Sequence, residues 1–318
     1  MLGTGALPVP MQLSPCRKHR GDGLLRNTGT EDAVQRAAEM DLAMIEDARG
    51  RIDYDESGSG PTVVLVPGSC STGAAWRPVI EAWNNRFRCV TTSLLGYGGT
   101  AERRTASNPS IAYEAEVLEA VVRRAAGRVH LVGHSFGGLV ALAVALRKQV
   151  SLASLVILEA PAVEVLRDAR EHQLYREFRR MTESYFAAFE GGNLEAIAEM
   201  IDFYGGAGTF ASWPQRVRAY AVATTRVNIL DWASAYGFPL AAASLAAIDI
   251  PVLVVRGGAS HPAVQRANAL LSERMRGAAL ATIDGAAHFM ITTHATQVGG
   301  LIAQHVRSAD AMPIAPAA

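Results

Sequence analysis

The sequence predicts an α/β protein with a doubly wound, mostly parallel sheet of about eight strands and an inserted all-helical cap. Short apolar runs such as PTVVLVPG and RVHLVG alternate with helical patterns, which is typical of parallel strands buried on both faces. The alternation stops between residues 162 and 247, where the patterns are helical only. It then resumes with PVLVVRG, AVQRANALLSERM and AALATIDG. A helical insertion of this kind within an α/β unit indicates a lid.

The elements before the insertion follow in a regular order. LAMIED and RIDYDE flank ARG and predict an antiparallel hairpin. PTVVLVPG, FRCVTTSLLG, RVHLVG and LASLVILEAP predict successive strands. AAWRPVIEAW, SIAYEAEVLEAVVRRA and FGGLVALAVALRK predict the helices between them. The core is therefore expected in two segments, 41–161 and 248–308, with the helical cap at 162–247.

Both ends of the chain are predicted to be flexible tails. Residues 1–40 are rich in Gly, Pro and polar side chains, although TEDAVQRAAEMDLAM could form a short helix after Thr30. Translation from an internal methionine such as Met40 is an open alternative. Residues 309–318 are predicted as the C-terminal tail.

The composition limits which binding partners and which cellular location are expected. The chain has 30 basic and 30 acidic residues, so its zero formal charge gives no reason to expect nucleic acid or an anionic membrane as partner. No apolar run approaches the ~18 residues of a membrane span, and no signal-peptide pattern opens the chain. Cys16, Cys70 and Cys89 match neither a disulfide framework nor a zinc site. A cytoplasmic protein with a small-molecule substrate is expected; no oligomeric state is indicated.

One motif carries chemistry. RVHLVGHSFGGLV contains a G-x-S-x-G sequence, Gly133 to Gly137, between a predicted strand and a predicted helix. The sharp turn from strand to helix would hold Ser135 in a strained conformation with its hydroxyl exposed, and side chains in place of the two glycines would collide. A serine needs a base to become a nucleophile. His288 follows the last predicted strand, so it is expected at the same edge of the sheet as Ser135.

Four segments in this order, PTVVLVPGSCSTGAAW, LLGYGGT, GHSFGG and IDGAAHFM, resemble the α/β-hydrolase fold family. The match runs from about Leu42 to Val306. The resemblance implies Ser135 as nucleophile and His288 as general base, in the chain order Ser, acid, His. It also implies an oxyanion hole made by the backbone N–H groups of Phe136 and of Ser69, in the loop after PTVVLV. No metal or organic cofactor is implied.

The acid of the triad is missing from the position that is usual in this family. The family most often places it after the strand PVLVVRG, where this chain has Ser260 and no carboxylate. A Ser–His dyad or an inactive enzyme is one explanation. The other is an acid at the end of the strand after the nucleophile helix, as in the haloalkane dehalogenase group, and that residue here is Glu159. Glu159 is the predicted acid and Asp284 the reserve, while Asp249 precedes its strand and is excluded.

The predicted activity is hydrolysis of a small carboxylic ester or lactone through an acyl-enzyme on Ser135. Hydrolysis of a C–C bond in a diketone and a non-catalytic ligand-binding receptor are the alternatives. Dehalogenase and epoxide-hydrolase chemistry, which use an Asp nucleophile in related proteins, are disfavoured by Ser135. The expected lining of the substrate pocket is Cys70, His134, Ser260, His261 and Trp213.

Overall fold

The computed structural model describes residues 44–312. The predicted N-terminal tail, the helix expected after Thr30 and Cys16 lie outside the described residues, as does most of the predicted C-terminal tail. Among the helices described, none is long and apolar enough to cross a membrane.

The described strands form two sheets. β1 (Met44–Asp47) and β2 (Gly50–Asp53) make an antiparallel pair. The main sheet has seven strands in the order β3-β5-β4-β6-β7-β8-β9. They are β3 (Asp55–Ser57), β4 (Thr62–Val66), β5 (Arg88–Thr91), β6 (Val129–His134), β7 (Ser154–Leu158), β8 (Val252–Gly257) and β9 (Ala279–Ile283). Only the β3–β5 pairing is antiparallel in this sheet, so the predicted fold class is confirmed.

Helices cover the main sheet and fill the interval between β7 and β8. The helices of the core are α1 (Arg77–Ala82), α2 (Ala112–Ala125), α3 (Phe136–Arg147), α11 (Pro262–Arg274), α12 (Met290–Thr293) and α13 (Ala295–Asp310). Between β7 and β8 lie α4 (Val163–Asp168), α5 (His172–Glu190), α6 (Ile197–Gly205), α7 (Thr209–Ser212), α8 (Gln215–Ala223), α9 (Thr225–Tyr236) and α10 (Ala242–Ala246). We refer to α4–α10 as the cap.

The central strands have apolar side chains on both faces because helices pack on both sides of the sheet. Every residue of β4, β6 and β7 is buried. Successive side chains of a strand point to opposite faces. Accordingly Val64 packs in the cluster that contains Leu131 and Leu139, whereas Val63 and Leu65 pack in the cluster of the other face.

Two predicted boundaries differ from the structure. The run RIDYDE is not one strand: β2 and β3 are separated at Tyr54 and belong to different sheets. Residues 309 and 310, predicted to begin the C-terminal tail, are the last turn of α13, because Ala309 is buried and Asp310 accepts from Arg128 at 2.7 Å.

Candidate active site

Ser135 stands at the turn between β6 and α3, in a backbone conformation that few residues adopt. Its φ is 54° and its ψ is −130°. A Cβ atom at Gly133 would collide with the backbone of Gly137, and one at Gly137 would collide with the carbonyl oxygen of Pro67. Glycines are therefore required at both positions, and the strain of about 1–3 kcal/mol is borne by the strand and helix on either side.

His288 lies in the loop after β9 and contacts the serine directly. Its Nε2 is 2.8 Å from the Ser135 Oγ, and its side chain is buried. Its Nδ1 is 2.8 Å from Oε2 of Glu159. When Nδ1–H donates to the carboxylate, Nε2 is left to accept the serine hydroxyl proton. The three side chains thus form one continuous chain of hydrogen bonds.

Glu159 directly follows β7 and is fully buried. Besides the His288 contact, its Oε1 accepts the backbone N–H of Gly257 at 2.6 Å. The residue has a φ of 48°, and Asn268 holds both backbone groups of the next residue, Ala160, at 3.1 Å. Gly257 thus holds the carboxylate itself, and Asn268 holds the backbone that follows it.

The other two carboxylates considered from the sequence lie elsewhere. Asp284 is exposed and makes no hydrogen bond to His288. Asp249 precedes β8, as expected, and pairs with Lys148 at 3.1 Å on the surface. Neither reaches the imidazole.

His134 supports the loop that carries His288. Its Nε2 is 2.8 Å from the backbone carbonyl oxygen of His288. Burial, together with the proximity of the His288 ring, lowers the pKa of His134 to about 3. His134 is therefore neutral near pH 7 and donates its Nε2–H to that carbonyl.

The loop after β4 passes next to Ser135. A Cβ atom built on Gly68 would lie 2.8 Å from the Ser135 Cβ, so only glycine allows this approach. Within residues 44–312, the backbone N–H groups of Ser69 and Phe136 are taken by no protein acceptor. Phe136 is the first residue of α3, where a helix leaves its N–H groups free. Burial raises the pKa of the Cys70 thiol to about 12, so this side chain is a neutral wall of the site.

Asp231 on α9 joins the cap to this loop. Its Oδ2 accepts the Ser69 hydroxyl and the Tyr97 hydroxyl, both at 2.6 Å, and its Oδ1 accepts from Arg104 at 2.7 Å. The Arg104 side chain is fully buried and also contacts Glu114 at 3.2 Å. Burial raises the pKa of Glu114 to about 8, although the positive charge of Arg104 opposes the shift.

Sequence reasoning did not find the Asp231 network. Asp231 and Arg104 are 127 residues apart, and no motif joins them. The one available signal was Asp231 as the single charged residue of the pattern NILDWASAY, since a charged residue that becomes buried needs a partner.

Two chambers meet at Ser135 and His288. The inner chamber has a volume of about 40 Å³ and is lined mainly by α6 and α9 of the cap. The outer chamber has a volume of about 340 Å³. Both are lined by Ser69, Cys70, Ser135, Trp213, His288 and Phe289.

The predicted pocket residues divide into two groups. Cys70 and Trp213 line both chambers, and His134 lines the outer one. Ser260 and His261 line neither, so this part of the prediction is wrong. The His261 ring stacks on Phe203 at 4.2 Å and its Nδ1 accepts the N–H of Ala263 at the start of α11, which turns it away from the chambers.

Two cap residues that line the inner chamber together with Ser135 and His288 were not singled out by the sequence. The Tyr204 ring packs over the His288 ring with 4.1 Å between centroids. Asn228 is buried in the wall of the inner chamber. Tyr204 was one of many cap aromatics and Asn228 one polar residue within a helical pattern, so nothing in the sequence distinguished them.

A model of the alpha/beta hydrolase family matches residues 63–299. The chain belongs to this family. A pimeloyl-[acyl-carrier protein] methyl ester esterase of Vibrio cholerae is 37% identical over 103 residues, which is 32% of this chain and 38% of that protein. Haloalkane dehalogenase 2 of Mycobacterium bovis is 34% identical over 104 residues, 32% of this chain and 36% of its own length. The chain thus aligns with well under half the length of either relative.

A solved structure of a hydrolase from Pseudomonas aeruginosa PA01 superimposes with a TM-score of 0.67 at 21% identity. The superposition covers 84% of this chain and 98% of that one. It agrees with the fold described above. Together, the family match and the relatives indicate a hydrolase.

Proposed function

We propose that the chain is a serine hydrolase that cleaves a small carboxylic ester or lactone through an acyl-enzyme on Ser135. The observation that carries the proposal is the pair of 2.8 Å contacts that join Ser135 to His288 and His288 to Glu159. The relative named as a methyl ester esterase supports an ester as the bond that is cleaved. A serine at this position disfavours the haloalkane chemistry in the name of the other relative.

The reaction follows from the roles of the three side chains. His288 Nε2 takes the hydroxyl proton as Ser135 Oγ attacks the substrate carbonyl carbon. The resulting imidazolium is stabilised by the Glu159 carboxylate, which pairs with no lysine or arginine of residues 44–312. His288 then gives the proton to the departing alkoxide, the C–O bond breaks, and the acyl group remains on Ser135. Water attacks that ester by the same route and releases the acid.

The negative charge that develops on the carbonyl oxygen needs donors in place beforehand. The backbone N–H groups of Ser69 and Phe136 are the proposed donors, since they flank Ser135 and are free of protein acceptors within the described residues. Loss of one such donor typically costs ~10²–10³ in rate.

Active-site labelling tests the proposal. A fluorophosphonate probe should label the wild type and should not label Ser135→Ala. A panel of p-nitrophenyl esters, lactones and diketones then identifies the bond that is cleaved, with Ser135→Ala as the blank. Folded wild-type protein that neither reacts with the probe nor cleaves any member of the panel would contradict a serine hydrolase.

A further inference from the structure

The two chambers differ in the exposure of the residues that line them. The outer chamber has exposed residues at its rim, among them Val217, which is 38% exposed. The inner chamber is walled by buried residues of the cap: Met200, Ile201, Tyr204, Asn228, Asp231, Trp232 and Ala235. In an acyl-enzyme reaction the alcohol departs first and water must enter before the acid is released. The outer chamber, whose lining includes exposed residues, therefore suits the alcohol, and the inner chamber, walled by buried cap side chains, suits the acyl group that stays bound.

The size of the inner chamber limits the acyl group. A cavity needs roughly 10–15 Å³ to hold one water molecule. The chamber has a volume of about 40 Å³ and so has room for only about three groups of this size, which restricts it to short acyl chains. A longer chain would require displacement of α6 or α9, since the residues that close the chamber belong to these helices.

Asn228 gives the inner chamber a hydrogen-bond donor. The residue is 1% exposed, and its Oδ1 accepts from the Tyr185 hydroxyl at 3.1 Å. That contact orients the amide, and among the hydrogen bonds within residues 44–312 its nitrogen donates to no protein acceptor. A buried donor without a partner costs about 1–3 kcal/mol, so the amide nitrogen is suited to an acceptor brought by a ligand.

The carboxylate of Asp231 in this chamber is not available to a ligand. Both oxygens of Asp231 are held by Ser69, Tyr97 and Arg104. The Tyr204 hydroxyl, buried in the same wall, also has no partner within the described residues, which adds a second polar group without a protein partner. The other side chains of the cap wall are apolar, so a purely hydrocarbon acyl group would leave Asn228 unpaired.

We propose that the inner chamber is an acyl subsite for short acyl groups that carry an oxygen in the chain, and that Asn228 donates a hydrogen bond to that oxygen. This proposal rests on the proposed function. The substrate class is esters or lactones of short oxo-, hydroxy- or alkoxy-substituted acids.

Two esters of equal shape test the subsite. The acyl chains of p-nitrophenyl butyrate and p-nitrophenyl methoxyacetate each have three atoms beyond the carbonyl, and only the second has an oxygen among them. The intrinsic reactivities differ, but this difference cancels when the ratio of kcat/KM values is compared between enzyme variants. Asn228→Leu, of similar size, should lower the methoxyacetate-to-butyrate ratio about fivefold to tenfold, with butyrate hydrolysis within about threefold of wild type.

Controls separate this effect from loss of structure. Asn193→Leu changes an exposed cap asparagine outside both chambers and should leave the ratio unchanged. Asn228→Ala provides a second variant if the leucine side chain prevents folding. In the wild type, p-nitrophenyl octanoate should be cleaved at least about tenfold less efficiently than the butyrate.

The proposal is overturned if the ratio is the same in wild type and in the folded Asn228 variants, or if both esters lose activity together. Octanoate cleaved as well as butyrate would also overturn it. In each of these results the wild type still hydrolyses esters through Ser135, which differs from failure of the proposed function, in which the wild type cleaves no ester at all and the subsite falls with it.

Discussion

Two buried carboxylates approach the Ser135–His288 pair from different parts of the chain. Glu159 comes from the end of β7, and its partners are an imidazole and one backbone N–H. Asp231 comes from the cap, and its partners are a buried guanidinium and two hydroxyls. Of the two carboxylates, only Asp231 has a fixed positive charge among its partners in the part of the chain that the structure describes. The charge of Glu159 therefore remains available to stabilise an imidazolium during the reaction, whereas the charge of Asp231 is already compensated and links the cap to the loop after β4.

The first prediction concerns the carboxylate that contacts the histidine. Glu159→Gln keeps the shape but removes the charge, and we expect kcat/KM for an ester to fall by about 10⁴ with little change in stability. Initial rates with p-nitrophenyl butyrate measure it. Asp284→Asn is the matched control and should hydrolyse the ester at the wild-type rate. Equal losses in the two variants, or none in either, would show that Glu159 is not the acid.

The second prediction concerns the cap carboxylate. Asp231→Ala leaves Arg104 buried with less compensation, and we expect the free energy of unfolding to fall by about 3 kcal/mol, at the lower end for a broken buried ion pair because Glu102 remains. Urea unfolding monitored by tryptophan fluorescence measures this change. Asp249→Ala removes a surface pair with Lys148 and should change stability by less than about 1 kcal/mol. A similar small change for Asp231→Ala would mean that the network does not hold the cap.

The third prediction concerns Glu114, which shares Arg104 with Asp231. Its pKa is raised from the ordinary value to about 8 in the folded state. The folded state thus holds a proton that the unfolded state releases above pH ~4.5, so the contribution of Glu114 to stability falls as the pH rises from about 4.5 to about 8. Glu114→Gln should gain about 3–4 kcal/mol relative to the wild type between pH 5 and pH 8. Urea unfolding at four pH values tests it, and a constant difference would refute the shift.

The smallest effect is expected at Ser69, which contacts Asp231 and also lines the chamber that contains Ser135 and His288. Ser69→Ala removes the hydroxyl that donates to Asp231 but keeps the backbone N–H proposed for the oxyanion hole. We expect kcat/KM to fall by about tenfold or less. A loss of more than about a thousandfold in a folded variant would assign the hydroxyl itself to the reaction. Ser212→Ala, an exposed cap serine, serves as the control.

The parts of the site differ in how far the sequence could predict them. The glycines around Ser135 and the strand ends before Glu159 and His288 are local patterns, and parallel strands bring their carboxyl ends to one edge. The structure indeed places these three side chains in contact, while their catalytic roles stay predictions. The absence of a carboxylate at Ser260 was informative because an acid is then needed at another strand end, and Glu159 is at such a position.

The cap could be predicted as helices but not as a set of contacts. Helical periodicity does not tell which residue of α9 meets which residue of the core, so Asp231 and Asn228 were not distinguished from other polar residues. His261 was expected in the pocket from its position after β8. It instead contacts Phe203 of the cap, and such a contact between distant segments is fixed by packing rather than by local sequence.

Labelling rates at Ser135 test the central claim most directly, because they require no knowledge of the substrate. The second-order rate constant for a fluorophosphonate should fall at least about a hundredfold in Glu159→Gln and less than about tenfold in Asp231→Asn, with both variants folded. That order would assign the activating charge to Glu159 and a structural role to Asp231. Equal rates, or a slower reaction in Asp231→Asn, would contradict the account.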